Sequence, residues 1–568
     1  MPVPRAAPPE LNYGSQVPLA LPASTTKRKF FPTNGATFTP TNNNIISIDI
    51  NSDNFLDASH SYFTCRVNSA PGGTDDAGRT LILPGPASFI KRLRVLSGGV
   101  ELESIDQYSR LYNLLDQCQM DHSRTSGSVM HNQSQSYMAT MRPQPIKNKD
   151  SSNNPAMGLM AGNNTGTSLD TAEPSVTWSG RVLQAPIYPH CDIFQAAEGA
   201  ATNALGPPTP NAGFAQKAKN SYVLSFPLIS ALLSANVYIP LALTNVGITL
   251  EIELQPNRNT AISINNLGAG QSATSYVATN YTLTDAGYEA SLVDLDANFT
   301  NQLKQDMYDR GAITIHGNMW RHYQTTFDAS VTKPTLSIPS RMKSIKGIFS
   351  TFRDQAQGYA AIGTGDGNSI GNAMSSVNAL VLDQSMTQCG ISSYQYSIGS
   401  VNVPVMPVQC GSTGLAAWGN VENQNGEGCS EAFCELQKSW GKLHDISQNT
   451  SLCRTTFGQT GTASALPGSY RKSFVAAVDT QSFNSRALTE NGIDTASRAL
   501  PISLTLERNP SVVSANQPDT LQYDAGMCGF SQPKFVVCGP ATTIQVDTFV
   551  MGDVFFYVDS TGLITPSF

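Results

Sequence analysis

Charge is scarce in this chain. Asp, Glu, Lys and Arg make up 14% of its 568 residues, against about 25% in an ordinary soluble domain. The net charge is −7 and no domain or stripe is basic, which argues against direct, sequence-specific nucleic-acid binding through phosphate neutralisation. The one basic cluster, Lys27-Arg28-Lys29, reads as solvated residues at the end of an arm rather than a targeting or phosphate-binding signal. Cysteine is scarce too. The ten cysteines (65, 118, 191, 389, 410, 429, 434, 453, 528 and 538) are scattered, so free thiols are expected in place of a disulfide framework. The closest pair, Cys429 and Cys434, has no nearby His to complete a zinc site.

Long apolar runs are also missing. Residues 220–250 carry no charge, but Pro227, Asn236, Pro240 and Asn245 interrupt them, and their end alternates Ile248, Leu250, Ile252 and Leu254 with polar residues. That is a half-buried strand and not a transmembrane segment. Met1 to Thr26 holds six prolines and no apolar core, so no leader is expected and the chain should be made and folded in the cytosol. The sequons at Asn132, Asn163, Asn280, Asn298 and Asn449 should then go unused.

Motifs for chemistry are absent or out of context. Gly367-Asn368-Ser369-Ile370-Gly371 has the nucleophile-elbow pattern, but that motif works only on a strand-to-helix turn, and here a Gly-rich stretch surrounds it. The seven histidines (60, 122, 131, 190, 316, 322 and 444) show no ligand spacing, and Pro189-His190-Cys191-Asp192 lacks the flanks of a cysteine protease. No P-loop is present. Asp294 and Asp296 fit a strand end and a helix cap better than an acid/base pair. We therefore expect a chain that is not an enzyme, with no catalytic, cofactor-binding or metal site.

What is plentiful is Gly, Pro, Asn, Ser and Thr, which favours short strands and long turns and gives an all-β class. The two halves also rhyme. Segments beginning at Ser88, Ser221 and Ile248 recur at Ser340, Ser473 and Ile502, in the same order and at offsets of 252 to 254 residues. This suggests two copies of one domain. The expected division is an extended Pro-rich arm over 1–26, a first domain over 27–305 and a second over 306–568. The arm, unable to fold alone, should order against the inner face or a neighbouring subunit.

Along the chain, alternation predicts strands at Ile46 to Ile50 and Phe63 to Val67. A hairpin is predicted from Phe89 to Ile105, turning at Ser97-Gly98-Gly99. Asp106 is expected to cap a helix presenting Tyr108, Leu111, Tyr112 and Leu115 on one face. Asp296 should cap a junction helix carrying Phe299, Leu303 and Met307, and Ser430 a helix carrying Phe433, Leu436 and Trp440. Further strands are expected near 181–185, 222–226, 246–254, 281–293, 312–315, 319–327, 342–352, 394–405, 474–478, 502–506, 535–537 and 543–558. Long loops should lie at 121–178, 353–378 and 508–532. If the repeat is real, Leu93 and Ile345 occupy equivalent buried positions, and Arg94 and Lys346 point to the opposite face, where replacement is cheap.

Four stretches resemble a known family: Ile90 to Leu115, with Gly98-Gly99-Val100-Glu101-Leu102 leading into Tyr108 and Leu111-Tyr112; Ser225-Phe226-Pro227-Leu228 through Tyr238-Ile239-Pro240-Leu241 to Glu253; Tyr394-Gln395-Tyr396-Ser397-Ile398-Gly399; and Val546-Asp547-Thr548-Phe549. Together they are similar to the double jelly-roll major capsid proteins of double-stranded DNA viruses, closest to the virophage and polinton-like virus branch. The resemblance implies two tandem eight-stranded jelly-roll sandwiches with short helices and long loop insertions. It implies a homotrimeric, pseudo-hexameric capsomer that tiles an icosahedral shell, located in the virion, with itself, penton proteins and minor capsid proteins as partners. The alternative in another class is a carbohydrate-binding, lectin-like β-sandwich protein, for which a secretion signal and an aromatic or acidic sugar site are missing. A β-sandwich hydrolase would need convergent acids or a metal cluster.

Overall fold

The computed structural model describes residues 22–69, 86–119, 221–255, 281–354, 391–410, 429–441, 474–508 and 543–567, less a few positions within them and with a few short segments between them. The two facing sheets of the first half are built on eight strands: β1 (Ala23–Phe30), β2 (Ile45–Ile50), β3 (Phe55–Ser69), β4 (Ile90–Ser97), β5 (Val100–Asp106), β6 (Ser221–Phe226), β7 (Ile248–Leu254) and β8 (Tyr281–Leu295), beside which the two-residue strand Thr37–Phe38 also pairs. Eight more form the second: β9 (Ala312–Asp328), β10 (Thr335–Ile338), β11 (Ile345–Asp354), β12 (Ile391–Ile398), β13 (Val401–Gln409), β14 (Ala476–Asp479), β15 (Ile502–Arg508) and β16 (Thr543–Asp559). A final strand, β17 (Ile564–Ser567), pairs with β16. Helix α1 (Tyr108–Gln119) follows β5, α2 (Ala297–Arg310) joins the halves, and α3 (Ser430–Ser439) follows β13.

The first half pairs its strands in the orders β1-β8-β3-β6 and β2-β7-β4-β5, and the second in the orders β9-β16-β11-β14 and β10-β15-β12-β13. Adding eight to each strand of the first converts it into the second. All these pairings are antiparallel. This is the eight-stranded jelly roll, occurring twice.

The alternation read from the sequence produces the sandwich. Ile46, Ile48 and Ile50 of β2, Leu93 and Val95 of β4, and Leu250 and Ile252 of β7 are all buried, facing the other sheet. Buried tyrosines tie the two sheets of the second sandwich together: the Tyr394 hydroxyl donates to the Ala477 carbonyl and that of Tyr396 to the Ala476 carbonyl, both at 2.9 Å. The β4–β5 hairpin turns on Gly98 and Gly99, with φ of +56° and +83°. This pair of left-handed residues gives a two-residue turn whose twist suits the strands. In α1, Tyr108, Leu111, Tyr112 and Leu115 are buried as expected, and Tyr112 meets Phe226 edge-on at 5.7 Å.

Several expectations are corrected. The rhyme is real for β6 with β14 and for β7 with β15, but the segment at Ser88 leads into β4, the fifth-strand neighbour in its sheet, whereas that at Ser340 leads into β11. The equivalent of β4 is β12. Equivalent strands begin at Phe55 and Ile345, Ile90 and Ile391, Val100 and Val401, but Ile248 and Ile502, because connections of different length separate them. Asp106 does not cap α1: it ends β5, and the Gln107 carbonyl accepts the Arg110 and Leu111 amides. Ser430 lies inside α3, whose N-cap is Cys429. The stretch 394–405 spans two strands, and 312–327 is one. Ala23 to Thr26, assigned to the arm, pair with Leu295 to Leu292 in β1. The expected junction helix forms as α2, which spans 305–306 and buries Met307. The arm before residue 22, the strand at 181–185 and nearly all of the three long loops lie outside the described residues, although within 121–178 the two-residue strands Asn148–Lys149 and Pro155–Ala156 pair with each other.

Lys346 is a further correction. Like Leu93, Ile345 is buried, but Lys346 is buried as well, its Nζ 2.6 Å from Asp553 Oδ1. Arg94 instead lies on the solvated face between Glu101 and Glu251. Leu93→Ala and Ile345→Ala should each cost about 2–5 kcal/mol by urea denaturation. Arg94→Gln should cost at most about 1 kcal/mol, and Lys346→Gln about 3 kcal/mol, because it removes a cation from a buried carboxylate.

Candidate assembly interface

In each sandwich the sheet orders place β1 and β2, or β9 and β10, at one side, and β5 and β6, or β13 and β14, at the other. Within the chain, the β5–β6 side of the first sandwich meets the β9 side of the second: β5 lies against β9 and β17. The approach is close enough to require glycine. A Cβ on Gly317 of β9 would fall 2.3 Å from the Ala231 carbonyl oxygen. At the far end of the seam the Asn245 amide donates to the Gly562 carbonyl at 3.0 Å, and the Asn245 side-chain amide donates to the Thr561 carbonyl.

Two buried carboxylates sit at this seam. Asp547, in the central strand β16, is fully buried. Arg110 Nη1 reaches it from α1 of the first sandwich, 3.1 Å from Oδ2. From the second sandwich come Arg353 Nη2 at 2.8 Å and His322 Nε2 at 2.8 Å. Burial alone would raise the pKa of Asp547, but Arg353, Arg110 and His322 outweigh it and hold the carboxyl far below the usual carboxylate range. The aspartate is ionised and bonds the sandwiches together.

Glu103 of β5 is the second. Its Oε2 accepts the Ser230 hydroxyl at 2.6 Å and the Ala231 amide at 2.7 Å. Burial pushes its pKa up to about 7, against the pull of Ser230, Ala231 and the Trp320 backbone amide of the second sandwich. Sequence reading gave neither acid a role, although Asp547 stood in a quoted stretch. For Asp547 the available signal is a carboxylate within a largely apolar strand, which demands a partner; Glu103 shares β5 with Glu101 and Asp106 and gives no such signal.

The residues weighed for chemistry are not brought together. Asp294 and Asp296 are both exposed, and Asp296 accepts the Asn298 side-chain amide at 3.1 Å. His316 bonds Asp553 and His322 bonds Asp547, while His60 is exposed and bonds Asp57. Lys29 of the basic cluster pairs with Glu289 at 3.8 Å. Among the described residues, Cys65, Cys118, Cys410, Cys429 and Cys434 form no disulfide; Cys429 is buried and Cys434 exposed. The 367–371 motif, residues 189–192, His122, His131, His444 and the remaining cysteines lie outside the described residues. Among the described residues, no three His, Cys, Asp or Glu are grouped to hold a metal ion, and no helix is long and apolar enough to cross a membrane.

The raised pKa of Glu103 fixes a sign. Between about pH 4.5 and 7 the unfolded chain ionises this carboxyl while the folded chain keeps it protonated, so folding stability falls as pH rises through that window and is level above it. Glu103→Gln keeps an acceptor for Ser230 and Ala231 and removes the titration. Urea denaturation should therefore show the variant gaining about 3 kcal/mol on the wild type across that window; a constant difference would assign Glu103 an ordinary pKa.

No family model matches the sequence. No curated protein matches it. Among solved structures, a chain of the Sputnik virophage structure aligns over 100% of this chain and 93% of its own, at 11% identity and a TM-score of 0.45. The mavirus major capsid protein aligns over 100% and 96%, at 10% identity and a TM-score of 0.42. The Faustovirus major capsid protein aligns over 95% and 91%, at 7% identity and a TM-score of 0.44.

Proposed function

We propose that this chain is a viral major capsid protein, forming a homotrimeric, pseudo-hexameric capsomer that tiles an icosahedral shell around a double-stranded DNA genome. The observation that carries the proposal is the seam. Two sandwiches of identical strand order meet head to tail, the β5–β6 side of one against the β9 side of the next. A joint between unlike sides leaves one of each unused, on β1–β2 and on β13–β14. Repeating such a heterologous joint closes a ring when the rotation permits. Three chains then supply six similar wedges, a near-hexagonal block suited to tiling beside copies of itself.

The chemistry suits a structural role. The buried acids are occupied by structural partners, and the low charge makes polar surface less costly to desolvate when subunits pack. Penton and minor capsid proteins would complete the shell, and the chain would reside in the virion without catalytic activity or sequence-specific contact with the genome.

Native mass spectrometry of the purified protein tests the oligomer. Three times the 60.7 kDa chain mass is expected at micromolar concentration, with hexagonal outlines under negative stain. A stable monomer, or a dimer, would contradict the reading.

A further inference from the structure

The side of the second sandwich left open carries a set of exposed apolar residues. On β13, Val401 is 59% exposed, Val405 79% and Met406 73%. Phe483, 64% exposed, lies in the connection between β14 and β15, where the Asn491 side-chain amide donates to its carbonyl at 2.7 Å. In the first sandwich, the equivalent strand β5 and the equivalent connection between β6 and β7 are the parts that enter the seam, through Glu103, Ser230, Ala231 and Asn245. Among the described residues, the same two elements are thus covered in one copy and uncovered in the other, and the uncovered pair is apolar.

Among the described residues, the complementary side is also open. The seam uses β9, whose equivalent in the first sandwich is β1, an edge strand exposed from Ala23 to Arg28. It leads directly to Phe31, 64% exposed. Pro404 and Pro407 remove two backbone donors from β13, and Gln395 Nε2 donates to the Pro404 and Val405 carbonyls at 3.1 and 2.8 Å. The edge is thereby blunted against strand addition and left to bind through its side chains.

We infer that the Val401–Met406 edge, with Phe483, is the docking surface for a second copy of this chain, which it engages at the β1 side ending in Phe31. The inference rests on the capsomer reading and specifies which surfaces make it. It assigns the apolar patch to a joint between copies that follows the same pattern as the seam within each copy.

The test is Val405→Asp combined with Met406→Asp, read by sedimentation and by thermal melting of the full chain. These side chains are solvated in the single chain, so folding should be retained. The dissociation constant of the oligomer should rise roughly 100-fold or more, as for loss of central apolar anchors. Unchanged assembly by a folded variant would overturn the docking surface while leaving the capsomer reading intact; a monomeric wild type would overturn both. Independently of variant folding, Met406→Cys and Phe31→Cys chains should be joined by a short bismaleimide when mixed. Each chain also carries Cys434→Ser and, at positions outside the described residues, Cys191→Ser, Cys389→Ser, Cys453→Ser, Cys528→Ser and Cys538→Ser. Failure to cross-link in an intact oligomer would likewise overturn the assignment.

Discussion

One buried carboxylate ties the two halves of this molecule together. Asp547 receives Arg110 from the first sandwich and Arg353 and His322 from the second. A carboxylate without these partners would carry a desolvation penalty of several kcal/mol at the centre of β16. With them, ionisation is favoured and the relative placement of the sandwiches is constrained by directional bonds. Apolar packing at the seam is less specific about register. The Gly317–Ala231 approach and the Asn245 bonds then confine the contact along its length, so the seam is a defined joint rather than a flexible tether.

The two copies keep their fold while differing on the surface, because strand side chains alternate and only one face enters the core. On the outer face of the first sandwich, Arg94 lies between Glu101 and Glu251, and Lys91 pairs with Glu253 at 2.8 Å. The equivalent sheet of the second carries Thr335, Ser337, Gln395, Ser503 and Thr505, with Thr335 and Thr505 sharing a hydroxyl bond of 3.3 Å. Divergence of this kind leaves the two sandwiches with outer faces of different chemistry.

The period-two pattern made most strands legible: Ile46 to Ile50, the Gly98-Gly99 hairpin and Ile248 to Leu254 are where alternation predicts them. The same pattern misled the alignment. Half-buried strands look alike, so the pattern sets β4 against β11 at the same 252-residue offset that links β6 to β14, although the equivalent of β4 is β12. Identifying the correct copy requires pairing partners, and those depend on connections whose lengths differ between the halves. The seam was less legible still. Arg110 and Asp547 are 437 residues apart, and nothing local to either announces the other. Lys346 shows the same limit, since alternation places it on the outer face and its bond to Asp553 buries it.

The proposed capsomer uses one kind of joint twice, inside each chain and between copies. A cryo-EM reconstruction of the purified oligomer tests this most directly, by comparing the sandwich-to-sandwich transformation within a chain with that between chains. The expected result is a closed ring of six sandwiches with threefold symmetry, in which β13–β14 of each copy faces β1–β2 of the next through a rotation close to that of the internal seam. Copies related by a twofold axis, meeting through the same side of each, would contradict it.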